Sequence, residues 1–402
     1  MKHIIIIGAG IVGLATAKHL AERTTSKITV VDTEKEIALH QTGHNSGVIH
    51  SGLYYKPGSL KAENCVQGRK MLIDYCDQKS IPYELCGKVV VACNQKEEAS
   101  LDTLIERSHL NGLTPCRTLL PQDIKEIEPH CSGTKGLYVP DTGIVDYKLV
   151  AEHYKQDIIQ NGGEIKLNFQ VAGIQQNNSF RLISTKGDIL ESSYIINCAG
   201  LYSDRVARMC NLNPGVQIVP FRGEYYKLTD SKKHLVNHLI YPVPNPEFPF
   251  LGVHFTRDTH GDIEAGPNAV LAFKRTGYKF KDISIPDLLE TLTYSGFWKM
   301  VSKYWDTGLY EMKRSLSKRA FTEALQKLIP ELKEEDIVSA GAGVRAQALD
   351  PHGKLIDDFK IIQSNNMIHV LNAPSPAATS SLSIGQKILQ LANSQFNLSS
   401  IK

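Results

Sequence analysis

With 402 residues, 42% of them hydrophobic and 22% charged, the chain is long enough for two domains of ordinary size and has the composition of a soluble globular protein, without low-complexity tracts or fixed-period repeats. A formal charge of +3 is small for this length and no long block of like charge occurs, so nothing calls for nucleic acid and none is expected as a partner. Eight scattered cysteines, without a C-x-x-C or a zinc-ligand spacing, read as reduced thiols of a cytoplasmic protein, and no metal is expected.

In chain order, Ile4 to Ile7 form a short apolar β-branched run, as in a central strand of a parallel sheet buried on both faces. Gly8, Gly10 and Gly13 follow as G-x-G-x-x-G, the turn from that strand into a helix, and Ile28 to Val31 give a second strand closing on Asp32. In such a unit Gly8 permits the tight turn, Gly10 admits a pyrophosphate to the backbone and Gly13 lets the helix pack close to the strand. The diphosphate would sit over the helix start, around Ile11 and Val12, and Asp32, followed by Thr33, would accept hydrogen bonds from a ribose. Two simpler readings compete: a secretory signal peptide, imitated by Lys2, the apolar run and Ala15-Thr16-Ala17, and a βαβ unit that binds nothing. The unit speaks for an adenine dinucleotide without choosing between NAD and FAD. Its apolar stretch, Ile4 to Ala17, falls short of the ~20 residues that span a bilayer, which leaves peripheral membrane contact open.

Thr33 to Ser59 reads as a loop centred on His44-Asn45-Ser46-Gly47-Val48-Ile49-His50-Ser51-Gly52, where small residues let backbone approach a ligand; a turn-rich connection is the plainer alternative. His40 and His44 have i, i+4 spacing, but Gly43 argues against a helix there and so against a metal pair. A helix is predicted over Leu60 to Gln78. From Ile81 to about Asp146 the pattern changes to short strands, such as Lys88 to Cys93, and a polar helix near Glu97 to Leu110, read as the first insertion of a second domain.

Tyr147 to Gln160 is an amphipathic helix ending at Asn161-Gly162-Gly163. Strands follow at Glu164–Asn168, Val171–Gln175, Phe180–Thr185 and Ile189–Asn197, the last running into Cys198-Ala199-Gly200, where ligands sit in open α/β sheets. Val216 to about Glu334 reads as a second insertion, with strands at Ile218–Leu228, Leu239–Val243, Leu251–Thr256 and Val270–Lys274. Helices are predicted between Pro286 and Leu328, where Trp298, Met300, Trp305, Leu309 and Met312 are expected in the core. His254 and Thr256 share one face of their strand, as in a pocket wall, although a satisfied core histidine is the default. The chain then returns through Ser339-Ala340-Gly341-Ala342-Gly343-Val344-Arg345, strands near Lys360–Gln363 and Ile368–Leu371, and a last helix over Leu382–Leu391. The small residues and prolines of Asn372 to Ser380 precede that helix, making a second candidate site for negative charge or an ordinary cap.

The fold class is therefore α/β with an α+β substrate part: a Rossmann-like domain assembled from discontinuous segments (1–80, 147–215 and 335–402), with a mixed-sheet substrate domain inserted as 81–146 and 216–334. This order of features is similar to the D-amino-acid-oxidase-like family of FAD-dependent oxidoreductases. His44–Ala62, Pro220–Tyr226, Pro249–Arg257, Gly266–Arg275, Gly341–Gln347 and Asn372–Gly385 resemble its L-2-hydroxyglutarate oxidase/dehydrogenase branch, with two departures: Asp32 where many relatives carry glutamate, and Pro376-Ala377-Ala378 where a glycine is common.

The resemblance implies FAD, with Gly8, Gly10, Gly13 and Asp32 on the ADP part and His44, Asn45, Ser46, Gly47 and Val48 along the pyrophosphate and flavin. It places Val171 at the adenine, Ala199 and Gly200 near the diphosphate, and Pro376 to Thr379, with Gly343 and Arg345, beside the isoalloxazine. The reaction implied is oxidation of an (S)-2-hydroxy diacid to the 2-oxo acid, hydride passing from C2 to flavin N5. His254 is the expected base and His50 its rival; Arg345 is the expected carboxylate clamp, joined by Arg257, Arg275 and Thr256. Electrons would go to a quinone, a carrier or oxygen, and a quinone would bring the enzyme to the inner face of a membrane. Another FAD enzyme of the family, acting on glycerol 3-phosphate or an amine, and a dinucleotide-binding protein without turnover are the competing readings.

Overall fold

A computed structural model describes residues 2–244 and 252–399 of the chain. Leu251, the first residue of one predicted strand, and Pro249–Leu251 of one resembling segment lie outside the described residues. The core of the first unit is a sheet with strand order Lys360–Ser364, Met367–Asn372, Tyr194–Asn197, His3–Ile7, Lys27–Val31 and Glu164–Lys166; all are parallel except the first. The isoleucines of His3–Ile7 pair with Tyr194–Asn197 on one side and Ile28–Val31 on the other, so this strand is central and has no solvent face. That is why it reads as an unbroken apolar run instead of an alternating one. The chain moves first to one side of this strand and later to the other, which opens a crevice at the carboxyl ends of the central strands.

The helix Ile11–Arg23 packs against the terminal helix Ser381–Phe396 through small residues: a side chain at Gly385 would meet the Ala15 backbone at 2.8 Å. Helices Leu60–Lys79 and Tyr147–Gln160 bury Leu72, Tyr75, Val150 and Tyr154 in the same core. Ser59 and Asp146 cap these two helices with their side chains, which is why both begin where they do.

The predicted strand Ile189–Asn197 is two strands in different sheets. Ile189–Ser192 closes a small antiparallel sheet with Val171–Gln176 and Phe180–Ser184, and Tyr194–Asn197 enters the central sheet. Ser193 stands between them and donates its N–H to the His3 carbonyl.

Among the described residues the second sheet has nine strands, in the order Val270–Leu271, Gln217–Leu228, Ile263–Gly266, His254–Arg257, Leu239–Pro242, Lys88–Ala92, Lys135–Val139 and Arg117–Leu119, with Ile337–Leu349 also paired to Gln217–Leu228. That last pairing is antiparallel and runs from Gln217 opposite Leu349 to Leu228 opposite Ile337. The returning segment thus belongs by hydrogen bonding to the second sheet, and it carries Gly343 and Arg345 from that sheet toward the crevice of the first.

The helical part comprises Ile285–Leu292, Ser295–Leu316 and Lys318–Leu325. Met300 is buried, with Phe297, against Val219 and Phe221, but Trp298, Trp305 and Leu309 are exposed, contrary to the expectation that they are core. The helix Ser295–Leu316 carries apolar residues on more than one face, so periodicity alone cannot tell which face packs.

Candidate active site at the junction of the two sheets

One cavity of about 840 Å³ runs along the crevice, near the upper end of the roughly 300–1,000 Å³ usual for ligand sites. At one end lie Gly8, Gly10, Ile11, Val12 and Asp32. Gly8 takes φ +112°, open to glycine alone at little cost, and a side chain there would meet the Cys198 carbonyl at 2.4 Å. Gly13 lies beneath the loop and not in the cavity wall; a Cβ there would sit 2.0 Å from the Gly8 carbonyl oxygen. Gly10 supplies no side-chain cap and the first turn has no acidic residue, so apart from the Ile11 N–H, which Thr42 takes, the first-turn N–H groups and the dipole are left to an anion. Asp32 accepts from the backbone N–H of Ala9 at 2.6 Å and of Glu34 at 2.9 Å, so it fixes the glycine turn as well as edging the cavity.

The middle of the wall comes from the loop that follows. Gln41–Gly43 is a short 3-10 turn in which Thr42 Oγ1 accepts the N–H of Ile11 and Gln41 Oε1 that of Ala346, tying the loop to the helix start and to the returning strand. His44, Asn45, Ser46 and Val48 line the cavity; His44 stacks on Tyr278 at 4.1 Å. Gly47 stays out of the wall, donating to Asn45 Oδ1 and accepting from Val145 N–H. Ala199 and Gly200 lie opposite, and Pro376, Ala377, Ala378 and Thr379 close the far side. Thr379 Oγ1 accepts the His50 N–H at 3.1 Å and lies 2.8 Å from the Tyr147 hydroxyl, which donates to the Val48 carbonyl. Thr33 is exposed outside the cavity, and Val171 packs in the cluster around Phe169 and Phe180.

At the other end His254, His50, Arg345, Tyr54 and Tyr225 come together. His254 donates from Nδ1 to the Gly252 carbonyl at 2.9 Å, which leaves Nε2 as the basic nitrogen. Burial pushes its pKa down to about 4, against the Gly252 bond and helped by the charges of Arg345 and Lys88. His50 is pushed down to about 3 by burial and then by Lys88 and His254. Both imidazoles are therefore neutral at physiological pH, as a proton acceptor must be. Arg345 hydrogen-bonds the Tyr225 hydroxyl.

Three expected substrate residues are engaged elsewhere. Arg275, 1% exposed, binds Asp204 through both terminal nitrogens at 2.5 and 3.0 Å and also reaches Glu290. Arg257 pairs with Glu84. Thr256 is buried behind the wall and bonded to the Tyr241 hydroxyl. Sequence reasoning missed Tyr54, Tyr147, Tyr225 and Gln41. Tyr54 and Tyr225 stand within the resembling segments His44–Ala62 and Pro220–Tyr226, whereas Tyr147 is marked only as the first residue of a helix.

The residues fit an adenine dinucleotide: a helix start without a side-chain cap from Gly10, an acid at the end of the second strand and a cavity that runs on from them to His254, His50 and Arg345. The profile of the family described as FAD dependent oxidoreductase matches residues 3–391. The L-2-hydroxyglutarate dehydrogenase of Indibacter alkaliphilus is 53% identical over 395 residues, covering 98% of this chain and 99% of that protein. The mitochondrial L-2-hydroxyglutarate dehydrogenase of Homo sapiens is 46% identical over 413 residues, covering 98% and 89%. Among solved structures, the dithionite-reduced L-α-glycerophosphate oxidase of Mycoplasma pneumoniae, with FAD bound, superimposes with a TM-score of 0.81 at 21% identity, covering 100% of this chain and 97% of that one.

Proposed function

The chain belongs to the FAD-dependent oxidoreductase family, and on that premise we propose that it oxidises L-2-hydroxyglutarate to 2-oxoglutarate. The observation that carries this reading is the single cavity joining the glycine turn and Asp32 to His254 and Arg345. Relatives named L-2-hydroxyglutarate dehydrogenase, similar along nearly the whole chain, support the substrate.

FAD, held by the Gly8–Gly13 turn, Asp32, the His44–Val48 loop and Pro376–Thr379, supplies a two-electron acceptor when bound. The protein's own contribution is to hold the substrate and take its proton. His254 Nε2 receives the hydroxyl proton as the C2–H bond breaks, and the Nδ1–H bond to Gly252 holds the ring in the tautomer that can do so. Arg345, with Tyr225 beside it, anchors the carboxylate next to C2 and so fixes which face of C2 is presented. His50 forms the adjoining wall, its backbone held by Thr379.

The electrons pass to a quinone, a soluble carrier or oxygen. Exposed Ile285, Leu289, Trp298, Trp305 and Leu309 on the helical part support a peripheral contact with a membrane, where a quinone is found. No helix among the described residues is long and apolar enough to cross a membrane.

The test is the absorption spectrum of the purified protein before and after anaerobic addition of L-2-hydroxyglutarate, beside L-lactate, glycerol 3-phosphate and glycine. Bleaching of the flavin by L-2-hydroxyglutarate is expected. Bleaching by another of these alone rejects the reading.

A further inference from the structure

A five-carbon diacid needs two anchors, and the structure leaves one vacancy in that scheme. Arg345 serves the carboxylate beside C2, while Arg257 and Arg275 are paired with Glu84 and Asp204 away from the cavity. The other cations near the wall are also accounted for. Arg107 donates to the Tyr54 carbonyl, Lys61 lies over the Tyr55 ring under the influence of Asp357 and Asp358, and Lys56 is exposed to water.

Lys88 is different. It begins the strand Lys88–Ala92 in the middle of the second sheet and is 1% exposed. Its Nζ lies 4.3 Å from the centre of the Tyr54 ring and 5.0 Å from that of Tyr241, and among the described residues no carboxylate stands within ion-pair distance of it. An ammonium taken out of water and given two π faces recovers only part of its hydration, so it is poised to receive an anion. Its surroundings locate that anion. Lys88 is not itself a lining residue: Tyr54, whose ring its ammonium faces, lines the cavity and has a buried hydroxyl without a hydrogen-bond partner, Tyr241 stacks on His254, and the Lys88 charge acts on both His254 and His50.

We propose that Lys88 and the Tyr54 hydroxyl form the subsite for the second, distal carboxylate of the substrate and so set the preference for diacids over monoacids. The proposal rests on the reading of the cavity's His254 end as a hydroxy-acid site and deepens it. Burial pushes the free ammonium down to about 7, so a bound carboxylate is also what holds Lys88 charged at neutral pH. Charge and the neutral phenol have separate tasks: Lys88 supplies attraction, and Tyr54 supplies a directed O–H donor.

The test is calorimetric titration of the FAD-loaded enzyme with glutarate and with pentanoate, which has a methyl group in place of one carboxylate and needs no turnover. Wild type should favour glutarate by about 100-fold, as for truncation of a buried charge contact. Lys88→Met should abolish that preference with pentanoate binding and flavin content unchanged, Lys88→Arg should restore part of it, and Tyr54→Phe should lower it by about 10-fold. In turnover, Lys88→Met should raise KM for L-2-hydroxyglutarate by a much larger factor than KM for L-2-hydroxyvalerate. An undiminished glutarate preference in Lys88→Met, or an equal loss for both acids, overturns the proposal. If Lys88→Met does not fold, an undiminished preference in Tyr54→Phe does so. A wild type that binds glutarate in this way but is not reduced by L-2-hydroxyglutarate rejects the function and not the subsite.

Discussion

The ring of Tyr241 stacks on the imidazole of His254 with centroids 4.0 Å apart and planes 22° from parallel. The Tyr241 hydroxyl is bonded to Thr256, two residues along the strand from His254, so a single tyrosine bridges both side chains of that strand face. The expected pairing of His254 with Thr256 is thus present in the fold, with Thr256 holding the partner of the histidine and not facing the cavity.

His254→Gln retains a polar side chain of similar reach but has no basic nitrogen. Flavin reduction by L-2-hydroxyglutarate in anaerobic stopped flow should slow by about 10²- to 10⁴-fold, the usual worth of general base catalysis. A rate unchanged in this variant transfers the role to His50.

The pKa of about 4 at His254 fixes the acid side of the rate profile. The neutral imidazole is the competent form, and a lowered pKa keeps it neutral until the pH falls toward 4. Accordingly kcat/KM, which reports the free enzyme, should show no acid limb from this histidine above about pH 5, in place of the fall near 6.5 that an unperturbed histidine gives. Rates measured from pH 4 to 7 in buffers of constant ionic strength check this.

Buried His19 and His369 give a separate effect on stability. Burial lowers both to about 4, while the unfolded chain titrates near 6.5. Between those values the unfolded state binds more protons, so stability is fully present above pH 6.5 and is lost progressively as the pH falls through 4. Thermal melts of the FAD-loaded protein should show the midpoint falling across this window, and His369→Asn, whose Nδ1 position faces Asn197, should flatten the slope.

How far the sequence was readable depended on the range of the interactions. The glycine turn, the apolar strand Ile4–Ile7 and the helix Tyr147–Gln160 are specified by neighbours in the chain, and their bounds are found within a residue or so. The junction of the two sheets is not local. It depends on Ile337–Leu349 pairing with a strand more than a hundred residues earlier, for which periodicity carries no information. Arg275 is illegible for the same reason, because an arginine beside a conspicuous segment looks identical whether its partner is a substrate or Asp204, 71 positions away. Lys88 gave no signal at all, since a lysine at the start of an apolar strand ordinarily marks a solvated end.

Arg275→Met separates structure from catalysis. Burial works to raise the Asp204 carboxyl, but its bonds to Arg275 hold it below the usual range. Removing the guanidinium leaves a fully buried carboxylate to weaker partners, among them the Ile218 N–H and the longer, 3.3 Å pair to Arg208, and should cost about 3 kcal/mol in a denaturant titration. In the fraction that remains folded, KM for L-2-hydroxyglutarate should be unchanged, as expected for a side chain outside the cavity.

Arg345→Lys replaces a planar fork with a point charge at the position bonded to Tyr225. The apparent KM should rise by about 10- to 100-fold, from loss of one arm of a charge-assisted pair, with flavin content retained on purification. Loss of flavin instead moves Arg345 into the cofactor site.

Gly13→Ala tests the opening turn without touching the cavity wall. The added Cβ would lie 2.0 Å from the Gly8 carbonyl oxygen and 3.3 Å from the Cys198 side chain, so the helix Ile11–Arg23 must withdraw from the central strand. Backing away also displaces the helix start at Gly10 and strains the Asp32 bond to Ala9 N–H, the two features that present the site to a diphosphate and a ribose. An overpacked contact of this kind costs about 1–3 kcal/mol, and here its effect should fall on cofactor binding before it falls on folding. Titration of the apoprotein with FAD should show affinity reduced by at least about 10-fold, with the far-ultraviolet circular dichroism unchanged. Undiminished FAD affinity in a folded Gly13→Ala protein is incompatible with this geometry of the turn.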